Sequence, residues 1–289
     1  MSVLSYFSGI ENGWLNKFVN KLTNGVKHTR KEGKNGHVYI IGAGPGDAEL
    51  ITVKAQRLIQ TADVVLYDWL VSEDLLKTLP KTAQRVFVGK RAGMHSMTQA
   101  NICALLVKYA QQGLNVVRLK GGDPSIFARI NEEADALTKH NINFAIVPGV
   151  TTACAASAYT GILLTARDVA RSVTFLTAQF ADPKKLPNWS NYAFVQGNNN
   201  PTLVVYMGLG RLKELSSGLQ SVNWPSTTPI SLIENATTSK QKVITSTLEN
   251  IVNDHLSHNL QGPTLIIVGE VINHKMAITP ELLVQTVNT

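Results

Sequence analysis

Two glycine-rich turns, each closing on a carboxylate, hold the residues of this chain best suited to chemistry. Gly42-Ala43-Gly44-Pro45-Gly46-Asp47 follows the apolar run Val38-Tyr39-Ile40-Ile41. Gly121-Gly122-Asp123-Pro124 follows Val116-Val117-Arg118-Leu119-Lys120. Glycine at a strand end lets the backbone take φ > 0 or pass close to a ligand. A third strand-like run, Val64-Val65-Leu66-Tyr67, ends on Asp68, and a fourth runs into Gly89-Lys90-Arg91-Ala92-Gly93. If these are strand ends of one α/β sheet, they face a common crevice, where ligands of open sheets sit. There Asp68 would point a carboxylate into the crevice, and Lys90 would bring a cation to the same edge. Asp123 can hold a ribose hydroxyl or a ligand amine. Each residue also has a plainer use: Asp68 as a helix cap, Lys90 as a surface lysine, the glycines as tight turns. Their convergence is what argues for a shared site.

Several chemistries are disfavoured. The dinucleotide fingerprint needs Gly-x-Gly-x-x-Gly running into a helix, but Pro45 stands fourth and Asp47 and Glu49 would repel a pyrophosphate. There is no Walker loop and no Gly-x-Ser-x-Gly elbow. The seven histidines make no convincing metal set; His255 and His258 share a helical face without a nearby carboxylate or cysteine partner. The net charge of +7 suits nucleic acid, an acidic membrane or an acidic small molecule equally. Arg118, Arg129, Arg167 and Arg171 are further cations that can flank the crevice, and arginine forks take carboxylates bidentately. A polycarboxylate ligand would therefore account for the basic excess without nucleic acid.

The elements that must position these residues read clearly. Residues 1–36 form an N-terminal amphipathic extension and linker, with Phe7, Ile10, Trp14, Leu15, Phe18, Val19 and Leu22 at helical spacing. From 37 to 147 strands at 38–42, 63–67, 85–88, 115–119 and 144–147 alternate with helices at 52–60, 98–112 and 130–140. That pattern predicts an α/β domain with a mainly parallel sheet. Thr98 can cap the second helix, Ile102, Leu105, Leu106 and Tyr109 give it one apolar stripe, and Gly113 ends it. Beyond Pro148-Gly149 an alanine-rich helix at 151–159 precedes strand-like runs at 172–177, 202–207, 229–233, 242–246 and 263–268. We expect a second domain, 148–289, of mixed-sheet α+β character, with Asn188 opening a polar loop. No apolar run approaches the ~20 residues of a membrane span, and Glu11 and Lys17 break any signal-peptide core. Cys103 and Cys154 fall within helices and imply no disulfide framework, so a reduced, cytoplasmic setting is the simplest expectation.

These segments resemble the tetrapyrrole methylases. The resemblance is carried by residues 38–47, Tyr67-Asp68-Trp69-Leu70-Val71-Ser72, Val88-Gly89-Lys90-Arg91-Ala92-Gly93, residues 117–124, Val147-Pro148-Gly149-Val150-Thr151 and Tyr206-Met207-Gly208. It spans about 37 to 270. The closest likeness is to members that methylate uroporphyrinogen III at C2 and C7 to give precorrin-2, in sirohaem and cobalamin biosynthesis. The resemblance implies a two-domain α/β fold, a homodimer, and S-adenosylmethionine in the cleft between domains. It assigns cofactor contacts to Pro45, Gly121, Gly122, Asp123, Ile126, Thr151, Thr152, Met207 and Ala236, the proton acceptor to Asp68 and the proton donor to Lys90. The eight carboxylates of the substrate fit the cationic balance, and neither nucleic acid nor a membrane is an expected partner. With 36 residues ahead of the first strand, a fused dehydrogenase-ferrochelatase domain is not expected. The chain departs from the family in Ala128, Ile130 and Asn131, where members read glycine, and in Ala166 for histidine and Ala236 for glycine. Alternatives are a methylase of a later corrin intermediate or a catalytically weakened tetrapyrrole-binding protein.

Overall fold

A computed structural model describes residues 35–89, 97–180, 182, 185–197 and 200–283. The proposed extension and Lys90 therefore lie outside the described residues, apart from residues 35 and 36. The short β-branched runs of the first half form β1 (His37–Gly42), β2 (Val64–Tyr67), β3 (Gln84–Phe87), β4 (Asn115–Lys120) and β5 (Asn143–Val147). They make one sheet in the order β3-β2-β4-β1-β5, with every pairing parallel. Strand side chains alternate between faces, so Val38, Ile40, Val64 and Leu66 point to one core while Ile41, Val65, Val117 and Leu119 point to another. The first face is covered by α3 (Gln99–Gln111) and α4 (Ile130–Lys139), the second by α1 (Val53–Ile59) and α2 (Glu73–Lys77).

This layout fixes where a ligand can sit. From β1 the chain crosses one face to β2; from β4 it crosses the other face to β5. β1 and β4 are neighbours whose connections part to opposite faces, and a crevice opens outside the carboxyl ends of such strands. The two glycine turns follow those two strands.

The second half forms β6 (Val173–Thr177), β7 (Thr202–Tyr206), β8 (Pro229–Glu234), β9 (Lys242–Thr247) and β10 (Thr264–Val268), in the order β6-β7-β10-β8-β9. Only β6 and β7 pair parallel, so the sheet is mixed. α6 (Leu212–Gln220) and α7 (Ile251–His258) cover one face. α5 (Thr152–Thr160) covers the other, where Ala153 and Ala156 let it pack against Val204, Ile233 and Ile267. The fold is that expected from the sequence, two α/β sheets with helices, and the strands lie within a residue or two of their expected bounds. The short helices α2, five residues long, and α7, which carries His255 and His258, fall where the sequence suggested helix without giving bounds. Helix α6 was not foreseen, because it carries Ser216-Ser217-Gly218 against its helical propensity. Burial of Leu212, Leu215 and Leu219 on one stripe outweighs that propensity in α6.

Candidate active site

The two glycine turns are hydrogen-bonded to each other. Gly44 donates its N–H to the Gly122 carbonyl at 3.2 Å and Gly122 donates to the Gly44 carbonyl at 2.7 Å. Both residues have φ near +70°, at +76° and +67°, a region that side chains with a Cβ rarely adopt. The loop after β5 joins them: a Cβ on Gly149 would run into Gly122 O and lie 2.8 Å from the Gly42 carbonyl carbon. Asp123 locks the junction, its Oδ2 accepting from Gly149 N at 3.0 Å and its Oδ1 from Ser125 N at 2.8 Å.

Above this junction lies a cleft of about 540 Å³, within the range of small-molecule sites. Of the site residues expected from sequence, Asp68, Pro45, Gly121, Gly122, Asp123, Ile126, Thr151, Thr152, Met207 and Ala236 all line it. Lys90 lies outside the described residues. Asp68 sits at the end of β2 with its side chain about a quarter exposed. It does not cap α2, whose cap is Ser72. Its Oδ1 accepts from Leu70 N at 3.1 Å and its Oδ2 from Arg118 Nη2 at 3.2 Å.

Beneath Asp68 is a charged cluster that sequence reasoning only half found. Arg118 and Lys120 alternate with Leu119 on β4, so both point into the same interior and are almost wholly buried. Their counter-charge is Glu133, in the first turn of α4 and completely buried. Lys120 Nζ lies 2.8 Å from Glu133 Oε1 and Arg118 Nε lies 3.4 Å from it. Gln99 Nε2 donates to the same oxygen at 3.2 Å. Burial and the neighbouring Arg118 push the Lys120 ammonium below its usual range, against the pull of Glu133. The thiol of Cys103 is pushed up to about 11 by burial and by Glu133 and Glu132, so it is a neutral core group near neutral pH. Of the other arginines named, Arg129 lines the cleft and pairs with Glu132 at 2.7 Å. Arg167 and Arg171 are exposed and line no part of it. The signal for Glu133 was a carboxylate at a position a buried helix face would fill with an apolar residue.

On the opposite wall, Thr151 precedes α5 without capping it. Its hydroxyl lies 2.7 Å from Tyr206 Oη, which also accepts from Ala153 N at 3.3 Å. Uncapped helix starts leave amide donors for an anionic group. Burial pushes the Tyr206 phenol above its usual range. Met207 follows it with φ +55° and is half exposed at the cleft rim.

Over residues 37–252 the chain matches the family of Tetrapyrrole (Corrin/Porphyrin) Methylases. It belongs to that family. The siroheme synthase of Actinobacillus pleuropneumoniae serotype 7 (strain AP76) is 48% identical over 237 residues, covering 82% of this chain and 48% of that protein. That of Acinetobacter baylyi is 47% identical over 238 residues, covering 82% and 51%. The chain thus spans about half the length of the curated relatives it matches. Among solved structures, the uroporphyrin-III C-methyl transferase of Thermus thermophilus, complexed with S-adenyl homocysteine, has a TM-score of 0.71 at 37% identity. The match covers 83% of this chain and 100% of that one. A cobalt precorrin-4 methyltransferase gives 0.70 at 28% identity, over 82% and 95%.

The positions expected from sequence to depart from the family pattern have these places in this tetrapyrrole methylase. Ala128, Ile130 and Asn131 are not at positive φ; the left-handed residues there are Phe127 and Arg129, at +52° and +54°. Ile130 packs onto the core beneath α4. Ala166 pairs with Ala170 in an isolated bridge, and Ala236 is buried.

Proposed function

We propose that this methylase transfers methyl groups from S-adenosylmethionine to C2 and then C7 of uroporphyrinogen III, giving precorrin-2 and two S-adenosylhomocysteines. The observation that carries the reading is the cleft itself: the Asp68 carboxylate on a cationic floor, facing a cradle of backbone groups, hydroxyls and the Asp123 carboxylate. The donor set of that cradle suits the cofactor. Gly121 and Gly122 offer backbone close to the ligand, Asp123 an acceptor, Thr151 and Thr152 hydroxyls, and the uncapped start of α5 amides for a carboxylate. Pro45, Ile126, Met207 and Ala236 supply apolar walls. When bound, S-adenosylmethionine supplies an electrophilic methyl group on a sulfonium.

The chain's own residues then have three tasks. They align an electron-rich pyrrole carbon with that methyl and exclude water. They stabilise the cation that develops on the macrocycle, for which Asp68 is suited by charge and place. They remove the proton lost afterwards, and Asp68 keeps lone pairs for this because Arg118 and Leu70 N each use only one direction. Lys90 is assigned the proton donor's part by the family pattern. Arg129 and the basic excess suit the substrate's carboxylates. We further read the enzyme as a homodimer; the outer edge of β5, with Asn143, Ala145 and Ile146 exposed, supports an unfilled pairing edge.

The deciding experiment is incubation with uroporphyrinogen III and methyl-labelled S-adenosylmethionine. Two methyls per macrocycle support the reading. One methyl, or transfer only to an already methylated corrin precursor, points to a later step. Cofactor binding without transfer leaves a tetrapyrrole-binding protein.

A further inference from the structure

Glu133 has no part in the reaction described above, yet it is the most deeply buried charge among the described residues. Its partners converge on one oxygen: Lys120 Nζ, Gln99 Nε2 and Arg118 Nε meet Oε1, while Oε2 has no partner among the described residues. A buried, unsatisfied carboxylate oxygen is costly. Buried ion clusters are also poor stabilisers compared with apolar packing, so stability alone does not account for it.

The geometry of Arg118 gives the account. Its guanidinium has two edges able to grip a carboxylate with a pair of parallel bonds. On one edge Nε is held by Glu133 at 3.4 Å; on the other Nη1 donates to Leu119 O at 2.6 Å. Only Nη2 is left for Asp68, at 3.2 Å. We propose that Glu133 is a positioning residue: it holds the Nε edge of Arg118, confines that guanidinium to one contact with Asp68, and so leaves the Asp68 carboxylate usable in the cleft. Freed of Glu133, Arg118 turns its Nε–Nη2 edge onto Asp68 and captures it bidentately. The inference rests on Asp68 acting in methyl transfer.

The charges facing Glu133 are few. β4 contributes Arg118 and Lys120, the end of β2 contributes Asp68, and α3 contributes Gln99 and the neutral Cys103. On α4 itself Glu132 is turned to Arg129 at the surface. Two cations thus meet two carboxylates, and neutralising Glu133 leaves one buried positive charge in excess.

The test is steady-state methyl transfer to uroporphyrinogen III by E133L, which leaves no acceptor for Arg118 Nε, by E133D and by K120M/E133L, with the Arg118 Nε–H resonance followed by ¹⁵N NMR in the unliganded protein. E133L is expected to lower kcat by about 10–100-fold while KM for both substrates changes less than about threefold, and E133D to recover part of the loss. K120M/E133L removes the excess buried charge, so it is expected to regain thermal stability without regaining kcat. The Arg118 resonance moves in both variants lacking the residue 133 acceptor. Unchanged kcat in folded E133L or K120M/E133L would overturn the proposal. So would kcat restored in K120M/E133L relative to E133L, which would make Glu133 only the counter-ion of Lys120. Should D68N retain full turnover, the Asp68 reading fails, and the Arg118 resonance alone then decides the clamp: moved in E133L it stands, unmoved it falls.

Discussion

At the residue scale, Asp68 is held but not saturated. One oxygen accepts from Leu70 N and the other from a single nitrogen of Arg118, so each retains a lone pair toward the cleft. Asn at this position keeps the shape and can still accept from Arg118, but it carries no charge and cannot take a proton. D68N is therefore expected to lose about 10²–10⁴ in kcat, with S-adenosylhomocysteine affinity by calorimetry within about threefold of wild type. Full turnover would remove Asp68 from the chemistry. Gly121 is the second residue whose identity matters here. A Cβ there would lie 2.5 Å from Leu70 Cβ, a backbone-near atom that cannot swing aside. G121A should thus displace the Leu70 turn that orients Asp68 and cost about 1–3 kcal/mol of stability, seen as a lower Tm together with a lower kcat.

At the scale of elements, the strand ends were legible because β-branched runs and glycines mark them locally. Helix α3 was legible for the same reason: Thr98 accepts from Asn101 N at 3.2 Å, the four stripe residues are buried, and Gly113 turns at φ +79°. The partners of Arg118 were not legible, because Glu133 lies on another element and nothing local announces that its helix face meets β4. Nor did sequence show that Phe127 and Arg129, rather than Ala128, Ile130 or Asn131, take the left-handed conformations. The end of β8 gives a comparable case. Burial alone would raise the Glu234 carboxyl, but the N–H groups of Gly262 and Gln261, at 2.6 and 2.7 Å, and nearby Lys242 together hold it below its usual range. A carboxyl depressed in the folded state contributes stability above its unfolded value, ~4.5, and loses it as pH falls through the folded one. The Tm difference between wild type and E234Q should accordingly be largest near neutrality and shrink below about pH 4.5. E234L, which removes the acceptor of both amides, should cost more than E234Q at every pH, by roughly 0.5–1.5 kcal/mol for each bond lost.

For the whole molecule, what matters is how the two sheets are held across the cleft. Asp47, in the turn after β1, caps its own short helical turn through Oδ1 and accepts from Tyr159 Oη of α5 at 2.6 Å through Oδ2. Its N–H donates to Thr237 Oγ1 at 3.0 Å, in the loop after β8. Gln241 continues the tie, accepting from Thr237 N at 2.8 Å and donating to Tyr159 O at 3.2 Å. The carboxylate that argued against a pyrophosphate in the sequence thus joins the first glycine turn to the second sheet. Burial and the bond to Asp47 push the Tyr159 phenol above its usual range, so it stays a neutral donor throughout the working pH. Y159F removes that donor without changing the ring. Its direct cost should be about 1.5–3 kcal/mol, the worth of a hydrogen bond to a charged group. If the tie sets the spacing of the cofactor walls, part of that cost appears in binding. S-adenosylhomocysteine Kd should rise about three- to tenfold, up to about 1.4 kcal/mol, while kcat at saturating cofactor changes less than about twofold. A lowered Tm with unchanged Kd would instead make the tie a matter of stability, with the cleft shaped by the Gly44–Gly122 junction alone.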